Sequence, residues 1–187
     1  MKQFDLLLSY LDKSNSITIA VLGVLSLYFL LVNWVFFYRY LYLSLLIRRE
    51  KFSLETVEMG NKVPAMNSFL KQCYAGGKFT PNKNDFCITK ATQESTAGLT
   101  FLSIAASTSP FIGLFGTVVS ILETFYIMGS TKASISTISA SIGEALVATA
   151  AGIFVAVFAY TYHLILKRKA YAFVSYVKMQ IDILAGR

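Results

Sequence analysis

Residues Ser107 to Glu123 read STSPFIGLFGTVVSILE, inside a run from Ser95 to Leu122 that holds no charged side chain. Those 28 residues exceed the roughly 20 apolar residues with which a helix crosses a bilayer. The run is not uniformly apolar. On a helix, Ser103, Ser107, Pro110, Gly113, Thr117, Ser120 and Thr124 recur at spacings of three or four and share one face. In lipid, a stripe of small and hydroxylated residues serves close helix packing or lines a polar path. The stretch predicts a membrane helix with one face committed to another helix or to a hydrated route.

Two further runs lie on either side. Ile138 to Tyr162, ISASIGEALVATAAGIFVAVFAYTY, has Glu144 as its sole charged residue. Ile17 to Tyr38 lies in a charge-free run of 25 residues and ends in an aromatic belt, Trp34, Phe36, Phe37, Tyr38, Tyr40 and Tyr42, beside Arg39. With 55% hydrophobic residues and a mean hydropathy of +0.57, the chain reads as an all-α integral membrane protein with three transmembrane helices. The net charge of +7 is a topology signal. Of the 17 Lys and Arg, 14 fall between Arg39 and Lys90 or between Lys167 and Arg187, and the positive-inside rule puts both segments in the cytoplasm. No basic groove with interleaved aromatics is present, so nucleic acid is excluded as a partner.

The predicted segments are a periplasmic amphipathic helix over 1–15, a first span over 16–39, a cytoplasmic helical region over 40–94, a second span over 95–128, a periplasmic loop over 129–135, a third span over 136–168 and a cytoplasmic C-terminal helix over 169–187. The long first apolar run, without a small-residue cleavage site, argues against a cleavable signal peptide. Counted from Glu94 to Met128, the second helix would be about 50 Å long at 1.5 Å per residue. It and the similarly long third helix are expected to project beyond the hydrocarbon into the cytoplasm. Ala75 to Asp85, AGGKFTPNKND, reads as a turn-rich loop. Cys73 and Cys87 fall in the cytoplasmic region, where thiols stay reduced, and are expected to be ordinary buried or half-buried thiols. Their spacing fits no zinc pattern and the single histidine, His163, is remote, so no metal or other cofactor is expected.

Glu144 lies about eight residues into the third helix, roughly 10 Å along it. An ionised carboxylate at mid-bilayer costs about 2.5–3.5 kcal/mol. It faces a hydrated path, finds a polar partner or stays protonated; a proton route and a packing role are equally open from the residues alone. An isolated membrane threonine such as Thr117 or Thr149 ordinarily bonds back to its own helix. Glu123 reads as a solvated carboxylate at a helix end or, with Ser120 and Thr124, as a periplasmic entry. His163, beside Tyr160, Tyr162 and Lys167, marks the cytoplasmic interface in preference to a relay. Gly113, Gly116, Ala148 and Gly152, with Pro110, let helix backbones approach closely.

At these residues the chain resembles the TolQ/ExbB proton-channel family. SPFIGLFGTV followed by ISASIGEALVATAAG places two motifs in the right order on successive spans, and the likeness is close from Ala97 to about His163. Three spans with both basic segments inside put the N-terminus in the periplasm and the C-terminus in the cytoplasm, and the resemblance implies a bacterial inner-membrane protein. It implies a homopentamer around a TolR/ExbD-type one-span subunit that carries a proton-binding aspartate, and a TolA- or TonB-type transducer driven by the proton motive force. Thr117 and Thr149 match the family's pore threonines, and Glu144 matches its motif glutamate. TSPFIGLFGTV leans toward TolQ; a MotA-like stator would have four spans. The chain departs from the pattern at Ala140 and Phe158, where prolines are usual, and at His163, where asparagine is common; a straighter third helix follows. The rival readings are a non-conducting scaffold and a membrane enzyme, the latter disfavoured because too few acids and histidines exist to build a catalytic site.

Overall fold

A computed structural model of the chain describes residues 16–74, 80–130 and 135–186. The periplasmic helix expected over 1–15 and most of the loop expected over 129–135 lie outside these. Among the described residues the regular structure is entirely helical, in five helices: α1 Ser16–Glu58, α2 Phe69–Tyr74, α3 Pro81–Thr96, α4 Leu99–Ser130 and α5 Ile135–Ala185. Three of them, α1, α4 and α5, are long and apolar enough to cross a membrane. The third span and the C-terminal segment are one uninterrupted helix of 51 residues. The chain divides into two compact units, Met1–Asn33 with Leu102–Thr161, and Trp34–Phe101 with Tyr162–Arg187.

In the first unit, Val21 and Leu25 of α1 pack on Ala148 and Val155 of α5, with Tyr28, Phe29, Ile112 and Ala151 around them. Many large side chains face outward, among them Leu27, Leu30, Phe111, Phe115, Leu122 and Leu146, as suits a surface whose solvent is hydrocarbon. Phe158, where the family pattern has proline, meets Phe29 edge-on at 5.6 Å between ring centroids and Phe154 at 4.8 Å. Aromatic pairs of this kind add about 0.5–1.5 kcal/mol beyond area burial. Phe158 thereby ties α5 to α1.

In the second unit, α2 and α3 bracket α5. Phe69, Leu70, Tyr74, Cys87 and Ala91 bury against Phe173, Val177 and Ile181. Two expectations are corrected here. The stretch read as a loop to Asp85 is helical from Pro81, because proline at the first position of a helix costs nothing: its missing N–H is one of the orphan donors. Cys73 and Cys87 are not separate thiols but a disulfide. Lys83 Nζ donates to the Tyr74 carbonyl at 2.9 Å, and the Tyr74 hydroxyl bonds Asn84. These contacts draw the end of α2 to the start of α3 and set the two cysteine Cα atoms 6.0 Å apart.

The joint between α3 and α4 falls at Ala97–Gly98, where Gly98 has φ +84°, a conformation cheap only for glycine. Arg39 of α1 fastens it. Its guanidinium donates to the carbonyls of Glu94 at 2.6 Å and Ser95 at 3.2 Å, two acceptors that the end of α3 would otherwise leave unpaired. The Tyr42 hydroxyl bonds the Glu94 carboxylate, and the Arg39 side chain packs against the Gly98 Cα face.

Glu50 is fully buried on α1. Its carboxylate accepts from the Phe69 N–H and from Gln180 Nε2 at 2.9 Å, while Gln180 Oε1 accepts from Ser53 Oγ at 2.7 Å. Burial raises its pKa above the ordinary carboxylate range, and the bonds from Gln180 and Phe69 offset part of that. The folded state therefore holds the proton more tightly than the unfolded chain does. The stability this contributes is complete below the unfolded pKa and is lost as pH rises through the folded one. Subtracting the melting-temperature profile of Glu50→Gln from that of the wild type should give a curve that falls as pH rises above about 4.3. Superimposable profiles would disprove the linkage.

Candidate proton-path site

The site is built where α4 and α5 touch backbone to backbone. A Cβ added at Gly113 would lie 2.7 Å from the Ala148 carbonyl oxygen and 3.0 Å from Thr149 Cα. One added at Gly152 would lie 2.6 Å from the Ser109 carbonyl oxygen and 3.1 Å from Gly113 Cα. Ala145 and Ala148 are fully buried in the same seam. Gly116 faces α1, where Val21 Cγ1 would lie 2.9 Å from its Cβ. Pro110 is half-buried within α4.

This approach lets two short side chains meet. The hydroxyls of Thr117 and Thr149 are hydrogen-bonded to each other. Thr117 Oγ1 also lies 3.0 Å from the Ala145 carbonyl oxygen and 3.3 Å from that of Gly113, and Thr149 Oγ1 lies 3.4 Å from the latter. Two hydroxyls carry two protons between them, and several acceptors compete for each, so rotation alone can change who donates. Each oxygen has two lone pairs, which leaves acceptor capacity for a donor brought from outside the chain. Thr117 is buried and Thr149 half-buried. The back-bond of Thr117 to Gly113 exists, but as one choice among several.

Ser120, one turn along α4, is 1% exposed, and its Oγ has no hydrogen-bond partner among the described residues. Thr18 Oγ1 of α1, which the sequence reading did not single out, is likewise buried without a partner among them. Only a hydroxyl in an apolar helix could have flagged it. Glu144 is half-buried on the flank of the seam, preceding Ala145 and one turn before Ala148. Glu123 is half-buried one turn beyond Ser120. The structure thus joins Thr117 and Thr149 directly, and sets Ser120 and Glu144 one turn or less from residues of the seam.

His163 is placed elsewhere. Its Nδ1 lies 3.1 Å from the Leu99 carbonyl; a carbonyl only accepts, so Nδ1 carries the hydrogen and ties α5 to the first turn of α4. Toward that end of the first unit the hydroxyl stripe opens. Ser103, Ala106 and Ser107 face Ile153, Ala156, Val157 and Tyr160 across a groove of about 400 Å³.

Residues 83–179 match the model of the MotA/TolQ/ExbB proton channel family. The chain belongs to that family. A biopolymer transport protein of Helicobacter pylori strain J99, described as ExbB-like 1, is 41% identical over 188 residues, covering 98% of this chain and 99% of that one. ExbB of Neisseria gonorrhoeae is 52% identical over 61 residues, 32% of this chain and 28% of its own. TolQ of Pseudomonas aeruginosa is 41% identical over 71 residues, 37% of this chain and 31% of its own. The family is one of membrane channel subunits linked to the proton motive force.

Proposed function

We propose that this chain is the channel-forming subunit of an inner-membrane motor of the TolQ–TolR or ExbB–ExbD kind. The observation that carries the proposal is the Thr117–Thr149 hydroxyl pair, which sits where two apolar helices touch and keeps acceptor capacity beyond its own bonds. Neither hydroxyl titrates near neutral pH, so the chain supplies a polar lining and the proton carrier comes from elsewhere. A one-span TolR/ExbD-type subunit provides it as an aspartate, held inside a ring of copies of this chain, five in the family. Glu144 and Ser120 continue the path and Glu123 marks its periplasmic entry. The transducer is of TolA or TonB type; the named relatives come from both branches. The N-terminus is periplasmic, and the basic segments 40–94 and 169–187 are cytoplasmic. Each proton entering yields about 2.3 kcal/mol per 100 mV, spent on movement and not on making bonds.

A second reading has its own observation. Thr117 is buried and hydrogen-bonded across the seam, as a purely packing residue in a non-conducting scaffold would be. Cytoplasmic acidification after an external acid pulse separates the two. Flux is expected only in cells that make both this chain and its one-span partner. An assembled complex that passes no protons in any pairing would leave the scaffold.

A further inference from the structure

The disulfide between Cys73 and Cys87 has no part in proton transfer, and its surroundings suit a bond made and broken repeatedly. Cys87 is fully buried among Phe69, Leu70, Ala91, Phe173 and Val177, whereas Cys73 is half-buried at the edge of that cluster. An attacking thiolate reaches one sulfur only. The two helix ends are also held without the bond, by Lys83 Nζ on the Tyr74 carbonyl and by Tyr74 on Asn84. The start of α2 is held separately, by the Phe69 N–H on Glu50 of α1. Opening the disulfide leaves the thiols side by side and ready to close again. A permanent staple joins segments that have little else between them, and this pair does not.

We propose that Cys73 and Cys87 form a reversible thiol–disulfide site whose partner is a small dithiol, or in the oxidising direction a small disulfide, of the cytoplasm. One thiolate of the dithiol attacks Cys73 Sγ. The S–S electron pair departs on Cys87, which takes up a proton. The second thiol of the reductant then attacks its own sulfur in the mixed disulfide and releases Cys73 as a thiolate, which is protonated. Two electrons and two protons pass to the protein, and the dithiol becomes a disulfide. Because Cys87 leaves into an apolar cluster that disfavours its thiolate, exchange is slower than at an exposed disulfide. Cytosolic disulfides are characteristically transient or redox-sensing. Oxidation pins α2 to α3 and fixes the bracket on α5; reduction leaves it held by hydrogen bonds and apolar contacts.

The inference rests on the cytoplasmic placement of residues 40–94 and is independent of proton flux, so the acid-pulse result and this one can fail separately. Cells making the full chain with its one-span partner are quenched in acid, and free thiols are tagged with polyethylene glycol maleimide. The chain has two cysteines, so gels resolve each state. Expected are two adducts in growing cells, none after a pulse of diamide, and two again after washing; Cys73→Ser should show one adduct throughout. No adduct in growing cells, or two that diamide does not remove, would overturn the proposal. In the purified complex, dithiothreitol should lower the melting temperature by about 4 °C or more in the wild type and not in the Cys73→Ser, Cys87→Ser double variant. Equal melting temperatures in the wild type would overturn the pinning.

Discussion

Replacing Gly152 by alanine should weaken the first unit by about 1–3 kcal/mol, and leucine there should prevent an assembled complex from accumulating. The added Cβ would stand 2.6 Å from the Ser109 carbonyl oxygen and 3.1 Å from Gly113 Cα. Both are backbone atoms and cannot swing aside as a side-chain end would, so α4 and α5 must separate. Separation strains the hydroxyl pair as well, since Thr149 and Thr117 lie within about one turn of the contact. Gly143 on the same helix supplies the control. A Cβ there meets nothing within 4 Å among the described residues, and alanine is the better helix former by up to about 1 kcal/mol. Melting temperatures of detergent-purified complexes measure the contrast; if Gly152→Ala and Gly143→Ala melt alike, the backbone contact is not tight.

The second large effect falls on conduction. The Thr117→Val, Thr149→Val double variant keeps both side-chain shapes and loses both hydroxyls. Interhelical hydrogen bonds in membranes average about 0.6 kcal/mol, so the variant should assemble at close to wild-type levels. Proton flux should fall about tenfold or more, equivalent to at least about 1.4 kcal/mol on the barrier, because an entering donor loses both hydroxyl oxygens and keeps only the fixed carbonyls of Ala145 and Gly113 as acceptors, which cannot rotate to pass a proton on. Serine at both positions restores the hydroxyls and should restore most of the flux. Unchanged flux at matched membrane levels would reduce the pair to packing and favour the scaffold.

What the sequence made legible follows its physics. Charge-free runs longer than a bilayer is thick leave little choice but membrane helices, and α1, α4 and α5 were readable on that ground. The stripe of small residues on α4 foretold a close contact, and Gly113 and Gly152 make it. That Thr117 and Thr149 belong together came from the motif and not from periodicity, because each alone satisfies itself on its own helix. The joint at Gly98 was missed. A glycine inside an apolar run is compatible with a continuous helix, and only its positive φ reveals the break. Pro81 misled in the opposite sense, its neighbours Gly76, Gly77, Asn82 and Asn84 suggesting a turn where proline in fact begins a helix. Glu50 gave no signal, standing between Arg49 and Lys51 in what reads as a solvated charge cluster, although α2 and Gln180 enclose it. The cysteine pairing could not be read from a spacing of 14, since chain contacts decide proximity.

The Arg39 strap over the α3–α4 joint bears on how such a molecule stays in register with itself. Of the contacts described in the second unit, the one at Glu50 has a proton affinity that depends on folding, and the one at Cys73 is the proposed site of thiol–disulfide exchange. A guanidinium keeps its charge across the physiological range, and the peptide carbonyls of Glu94 and Ser95 neither protonate nor oxidise there. The two Arg39 bonds at the α3–α4 joint therefore rest on groups that neither acid nor oxidant changes in that range. In a member of a proton-channel family, those two bonds do not respond to the ion that gives the family its name.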